Sequence, residues 1–136
     1  MKKRFLSILL ALVMVVSFAS AAGAETVKFW SHQNEAWNNS YYELIAEFEA
    51  ANPGITIEYT QFPYTDFQAK IQTSLLAGEA SGDVYEVWGG WMFDLVSTGA
   101  LSETPADLTA DLQNDAYAPV LGALTHDGKF YGAPVE

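Results

Sequence analysis

Three short segments of this 136-residue chain concentrate side chains suited to holding a small ligand. Ser31, His32, Gln33, Asn34 and Glu35 form a dense run of hydrogen-bonding groups directly after an aromatic stretch. Gln61 and Tyr64 bracket a second segment, and Trp88-Gly89-Gly90-Trp91 sets two indoles around two freely rotating residues. Polar side chains beside flat rings suit a sugar, whose hydroxyls need directional partners while its C–H faces pack on aromatic surface. Rings also supply large contact area for little lost rotamer freedom. Plainer roles exist for each. Trp30 can pack beneath a sheet, Trp37 begins an apolar helical stripe and reads as core, and Trp88 can fall on either face of a strand. His32 can cap its loop, and His126, just before a tight turn, reads as surface. Trp91, following two glycines, is the indole expected to be exposed.

Catalytic constellations are weak by comparison. Carboxylates are plentiful enough that some pair will resemble an acid/base couple, but none lies in a motif. Ser31-His32 lacks the glycines of a nucleophile elbow, and Gly89-Gly90 lacks the spacing and the Lys of a phosphate loop. No catalytic residue is assigned. The chain has no cysteine and two widely separated histidines, so no zinc-type cluster is formed, and neither a metal nor a cofactor is expected. Asn38-Asn39-Ser40 matches a glycosylation acceptor, a short pattern of little weight.

The elements that position these segments alternate strand, helix, strand, helix, strand. Thr26 to Trp30 (TVKFW) and Ile55 to Thr60 (ITIEYT) are rich in β-branched and aromatic residues and read as strands. Between them Trp37, Tyr41, Leu44, Ile45 and Phe48 recur at helical spacing, a stripe expected to face a core. Asn52-Pro53-Gly54 ends that helix. A second helix starts near Thr65 or Asp66, carries Phe67, Ile71 and Leu75 on one face, and stops at Gly78. Asp83 to Trp88 (DVYEVW) reads as a third strand, Met92 to Thr98 as a short helix closed by Gly99, and Glu103 to Asp115 as surface loop and short helix. Leu124 to Tyr131 reads as a hairpin turning at Asp127-Gly128. Two successive β-α-β units imply an α/β fold with right-handed crossovers and a mainly parallel sheet flanked by helices. In such sheets ligands sit beyond the carboxyl ends of the strands, where the three polar and aromatic segments fall.

The start of the chain bears on compartment. Lys2, Lys3 and Arg4 precede an apolar run from Phe5 to Phe18 that is broken only by Ser7 and Ser17. Ala22-Gly23-Ala24 follows and fits cleavage before Glu25, the pattern of a signal peptide over residues 1–24. The apolar run is shorter than the roughly 20 residues of a membrane span. Cleavage would remove three of the 6 basic residues and none of the 17 acidic ones, leaving a net charge of −14. A surface so negative repels nucleic-acid backbones and anionic lipid headgroups. Its plainest consequence is solubility. An exported protein could have used disulfides, and this one relies on its core.

The ordered set TVKFW, ANPGITIEY, FQAKIQTSLLAG, GDVYEVWGGWMFDLVSTGAL and GKFYGAPVE resembles the family 1 extracellular solute-binding proteins, sugar-binding components of ABC importers of the maltose-binding type. The likeness runs from Glu25 to Glu136. It implies a periplasmic-binding-protein-like (type II) fold, of which residues 25–136 would be part of the N-terminal lobe, with a hinge that closes two lobes on a ligand. By position, His32, Gln33 and Asn34 look like the family's first ligand loop, Trp88 to Trp91 like the aromatic segment lining the cleft, and Glu136 like the carboxylate that meets sugar hydroxyls near the lobe crossover. Tyr64 joins them as a candidate contact. The implied ligand is a mono- or oligosaccharide, the implied partners are ABC transporter permease subunits, and the protein is expected to be a monomer.

Two departures from the family pattern are notable. Ala24 stands where many relatives carry a lipid-anchoring Cys, which favours a periplasmic or released protein. Family members also run a few times longer, so the chain is expected to be an N-terminal fragment. Two other functions compete: an exported carbohydrate-active enzyme built on the same aromatics and carboxylates, and a truncated product with no function of its own.

Overall fold

The computed structural model describes residues 24–78 and 81–135; residues 1–23, most of the expected signal peptide, lie outside it. Strand β1 (Glu25–His32) leads into helix α1 (Glu35–Ala51), strand β2 (Ile55–Phe62) and helix α2 (Tyr64–Leu76). A short strand β3 (Val84–Tyr85), a 3-10 turn (Gly89–Trp91) and helix α3 (Met92–Ser97) follow. Helices α4 (Ala106–Asp115) and α5 (Ala118–Leu124) then precede strands β4 (Thr125–His126) and β5 (Lys129–Phe130).

β1 is the middle of a three-stranded sheet ordered β2-β1-β3, and both pairings are parallel. Its register with β2 runs from Glu25 opposite Ile55 to His32 opposite Phe62, so the carboxyl ends of both strands finish level. Alternation sorts the side chains. Phe29 and Ser31 face α1, where Phe29 meets Tyr41 and the Tyr59 hydroxyl donates to Asn38. Trp30 and Phe62 face α2 on the other side. Helices on both faces of a parallel sheet are the expected α/β arrangement.

Asn52 closes α1 by donating its backbone N–H to the Phe48 carbonyl. Gly54 then takes φ 105°, a value that side chains disfavour, and its carbonyl accepts from the backbone of Glu25. The third strand is shorter than the expected Asp83 to Trp88. Trp30 pairs with Tyr85, and continuing that register would bring Val87 level with His32, the last residue of β1. Beyond that point the ladder has no neighbour. The acidic stretch holds a ten-residue helix without buried side chains. α5 was not anticipated from sequence; Pro119 in its first turn needs no N–H partner there. The hairpin turns at Asp127-Gly128 with φ 49° and 77°, both positive as a two-residue hairpin turn requires.

The core lies between the sheet and α2. Phe67, Ile71 and Leu75 are buried together with Trp91 and Leu95, and Trp30, Phe62, Tyr85, Val87 and Leu101 pack around them. Each such side chain contributes about 1.5–3 kcal/mol by leaving water. The α1 stripe differs from expectation: Leu44 and Phe48 are 60% and 44% exposed, while Trp37, Tyr41 and Ile45 are half-buried. β2 is the edge strand on that side, and among the described residues no element beyond it covers the outer flank of the helix.

Candidate functional site

A groove of about 640 Å³ opens at the carboxyl ends of β1 and β3. His32, the last residue of β1, and Glu86, the residue after β3, meet there because parallel strands end on the same edge. His32 Nδ1 lies 2.7 Å from Glu86 Oε2, and the same oxygen accepts the His32 backbone N–H at 3.3 Å. Their side chains are 14% and 9% exposed. Trp37, from the first turn of α1, and Tyr64, the first residue of α2, hold the imidazole edge to face at 5.2 and 5.4 Å between centroids. Phe67 lies behind it at 6.4 Å.

The wall of aromatic rings continues from Tyr64 to Trp91, 5.8 Å away. Trp91 and Trp88 then pack edge to face. The expected exposure of Trp91 is corrected here: it is 9% exposed, whereas Trp88 is 64% exposed. The two glycines do not make an extended loop. Trp91 donates its backbone N–H to the Trp88 carbonyl at 2.8 Å, and this tight turn rotates Trp91 inward against Phe67 while Trp88 stays at the rim. Val120 and Leu124 of α5 line the opposite side, with Pro134 near the end of the described chain.

Four candidate residues, His32, Tyr64, Trp88 and Trp91, therefore surround one groove. Gln33 and Asn34 do not join them. The chain turns at the end of β1, and Asn34 caps α1 by accepting the Ala36 N–H at 3.2 Å. Both residues border a separate, shallow polar notch with Asn38, Tyr42 and Gln61, where Gln61 accepts from Asn38 at 2.8 Å. Glu136 lies outside the described residues.

Sequence reasoning missed Glu86 and assigned Trp37 to the core. An acidic residue inside an otherwise apolar strand was the available signal for Glu86. For Trp37 nothing distinguished a helix residue facing a core from one facing the groove beside it. Ser31, which belonged to the polar run, is fully buried and shares a 2.6 Å hydrogen bond with the Tyr59 hydroxyl. Burial pushes the pKa of Tyr59 above its ordinary value of 10.0, and the Ser31 hydrogen bond opposes that shift without reversing it.

Residues 34–136 match the bacterial extracellular solute-binding protein family. A protein of Brucella abortus named as a binding protein is 28% identical over 128 residues, covering 93% of this chain and 31% of its own length. The chain thus spans about a third or less of the length of the curated relatives it matches. Among solved structures, the GacH receptor of Streptomyces glaucescens, described unliganded and with acarbose, superposes with a TM-score of 0.74 at 26% identity. That match covers 82% of this chain and 29% of the receptor. The sugar-binding protein MalE of Xanthomonas citri gives a TM-score of 0.69 at 27% identity, with 80% and 28% covered. The parallel sheet, the flanking helices and the matched residues agree: the chain belongs to the bacterial extracellular solute-binding protein family.

Proposed function

We propose that this chain forms part of the N-terminal lobe of an exported protein that captures a carbohydrate for an ABC-type importer. The observation carrying the proposal is the groove itself, where an exposed Trp88 and Tyr64 stand beside the polar pair His32 and Glu86. Ring faces pack against the C–H surface of a sugar, and a few fixed polar groups bind its hydroxyls. Among the described residues lining the groove, Glu86 is the one carboxylate and it is tied to His32.

Residues 1–24 act as the export signal, cleaved before Glu25, and the mature protein works as a monomer in the periplasm or after release. Glu136 contributes a further ligand contact, and closure of a second lobe presents the loaded protein to permease subunits. The similarity to a receptor described with acarbose and to a sugar-binding protein supports the ligand class. The test is thermal unfolding of the full-length protein with acarbose, maltose and other mono- and oligosaccharides. A ligand bound only by the native state at about 100 times its Kd adds roughly 2.7 kcal/mol of stability. A midpoint that climbs with sugar concentration supports the reading, and a flat response to every sugar removes it.

A further inference from the structure

His32 has a hydrogen-bonding geometry that does more than hold the strand ends together. An ionised carboxylate only accepts hydrogen bonds, so the 2.7 Å contact with Glu86 calls for a proton on Nδ1. In a neutral imidazole the other nitrogen then carries a lone pair. Nε2 makes no hydrogen bond among the described residues. No buried side-chain nitrogen or oxygen among those residues lacks a partner, so Nε2 is not sealed away, and His32 borders the groove. The ring is not free to turn over either, since Trp37 and Tyr64 pack against it edge to face and Phe67 backs it.

We infer that Glu86 is a positioning residue that fixes the Nδ1–H tautomer of His32, making Nε2 a dedicated acceptor for a ligand hydroxyl in the groove. The inference rests on the carbohydrate reading for its ligand, and for its tautomer on the contact of Nδ1 with a carboxylate that only accepts. It adds a selection rule. A ligand with a hydroxyl at that position satisfies Nε2, whereas one with an ether oxygen there leaves two acceptors facing each other. Sites built to pair with a hydroxyl discriminate strongly against analogues that lack it. The arrangement parallels metal-binding histidines, whose second nitrogen is set by a carboxylate on the first.

Two measurements on the full-length protein decide it. Long-range proton–nitrogen NMR of histidine-labelled protein without ligand reports which nitrogen of His32 bears hydrogen. Nδ1–H in the wild type, giving way to mixed tautomers in Glu86→Ala, is the expected result. An Nε2–H ring in the wild type overturns the inference, and that spectrum decides whether or not the alanine variant folds. Calorimetric titration with maltose and with acarbose is the second measurement. For whichever sugar binds, Glu86→Ala is expected to weaken affinity about tenfold. Glu86→Gln, whose amide oxygen still accepts from Nδ1, is expected to restore most of it. Unchanged affinity in Glu86→Ala overturns the inference while leaving carbohydrate capture intact. If no sugar of the thermal screen binds, the hydroxyl assignment falls together with the carbohydrate reading, and an Nδ1–H spectrum still upholds the positioning role of Glu86.

Discussion

Trp88 and Trp91 meet edge to face, 85° apart with ring centroids 6.4 Å from each other, yet only Trp91 belongs to the core. Two residues, Gly89 and Gly90, separate a structural indole from one that solvent and ligand can reach. Trp91→Ala is expected to cost about 3–5 kcal/mol of stability, read from denaturant unfolding. Trp88→Ala is expected to leave the unfolding midpoint nearly unchanged and to weaken sugar binding on the order of tenfold. Equal stability losses in the two variants would contradict the division of labour.

Gly90 controls where Trp88 lies. A Cβ at position 90 would sit 2.8 and 3.0 Å from two carbons of the Trp88 ring, whereas one at Gly89 would meet nothing within 4 Å. The exposed indole can swing aside, so Gly90→Ala should fold but lose the rim position of Trp88. The expected outcome is a changed tryptophan emission spectrum and weaker sugar binding, with Gly89→Ala as the matched control. Identical spectra in the two variants would show that the ring is not held against Gly90.

Phe67 is the floor on which the groove rests. It is fully buried, stacks on Phe62 at 5.9 Å and touches both His32 and Trp91. Phe67→Ala is expected to destabilise by about 3–5 kcal/mol. Phe67→Leu, which keeps more of the packing volume, should cost less and preserve the site. Similar losses from both, measured by urea unfolding, would argue that ring stacking rather than volume carries the contribution.

Much of this architecture is legible in sequence because period and composition act locally. The TVKFW and ITIEYT runs alternate, the Phe67, Ile71, Leu75 stripe has helical spacing, and Asp-Gly dictates its own turn. The third strand was overestimated because alternation alone does not show where pairing stops: β3 ends at Tyr85, before its register with β1 runs out. α5 escaped because Ala118 to Leu124 contains Pro and Gly and is too short for a period to register. The site was partly legible for a similar reason. Topology brings residues at parallel strand ends together, which placed His32 and the tryptophan segment at one edge. It could not say that the chain would turn after His32 and send Gln33 and Asn34 to another face. Nor could it show that Gly89 and Gly90 would coil and bury Trp91. Glu86 acquires its role only from His32, which lies 54 positions away.

Beside the groove, whose lining includes Phe29 and Tyr41, Tyr59 offers a pH signature for the α1 face. Its ring stacks on Phe29 at 5.1 Å and contacts Tyr41 and Tyr42. Its hydroxyl joins buried Ser31 to Asn38. Burial raises its pKa above 10.0, so the folded protein keeps this proton at a pH where the unfolded chain has released it. In that window the native state binds more protons, and stability falls as pH rises. The contribution is fully present below the unfolded value near 10 and is lost as pH climbs through the folded value. Tyr59→Phe should therefore flatten the alkaline decline measured by urea unfolding from neutral pH upward. At neutral pH the variant should lose about 1 kcal/mol with the hydrogen bonds, a modest loss because Ser31 can still donate to the His32 carbonyl, 3.1 Å away. An alkaline limb of unchanged slope in Tyr59→Phe would place the sensitivity elsewhere.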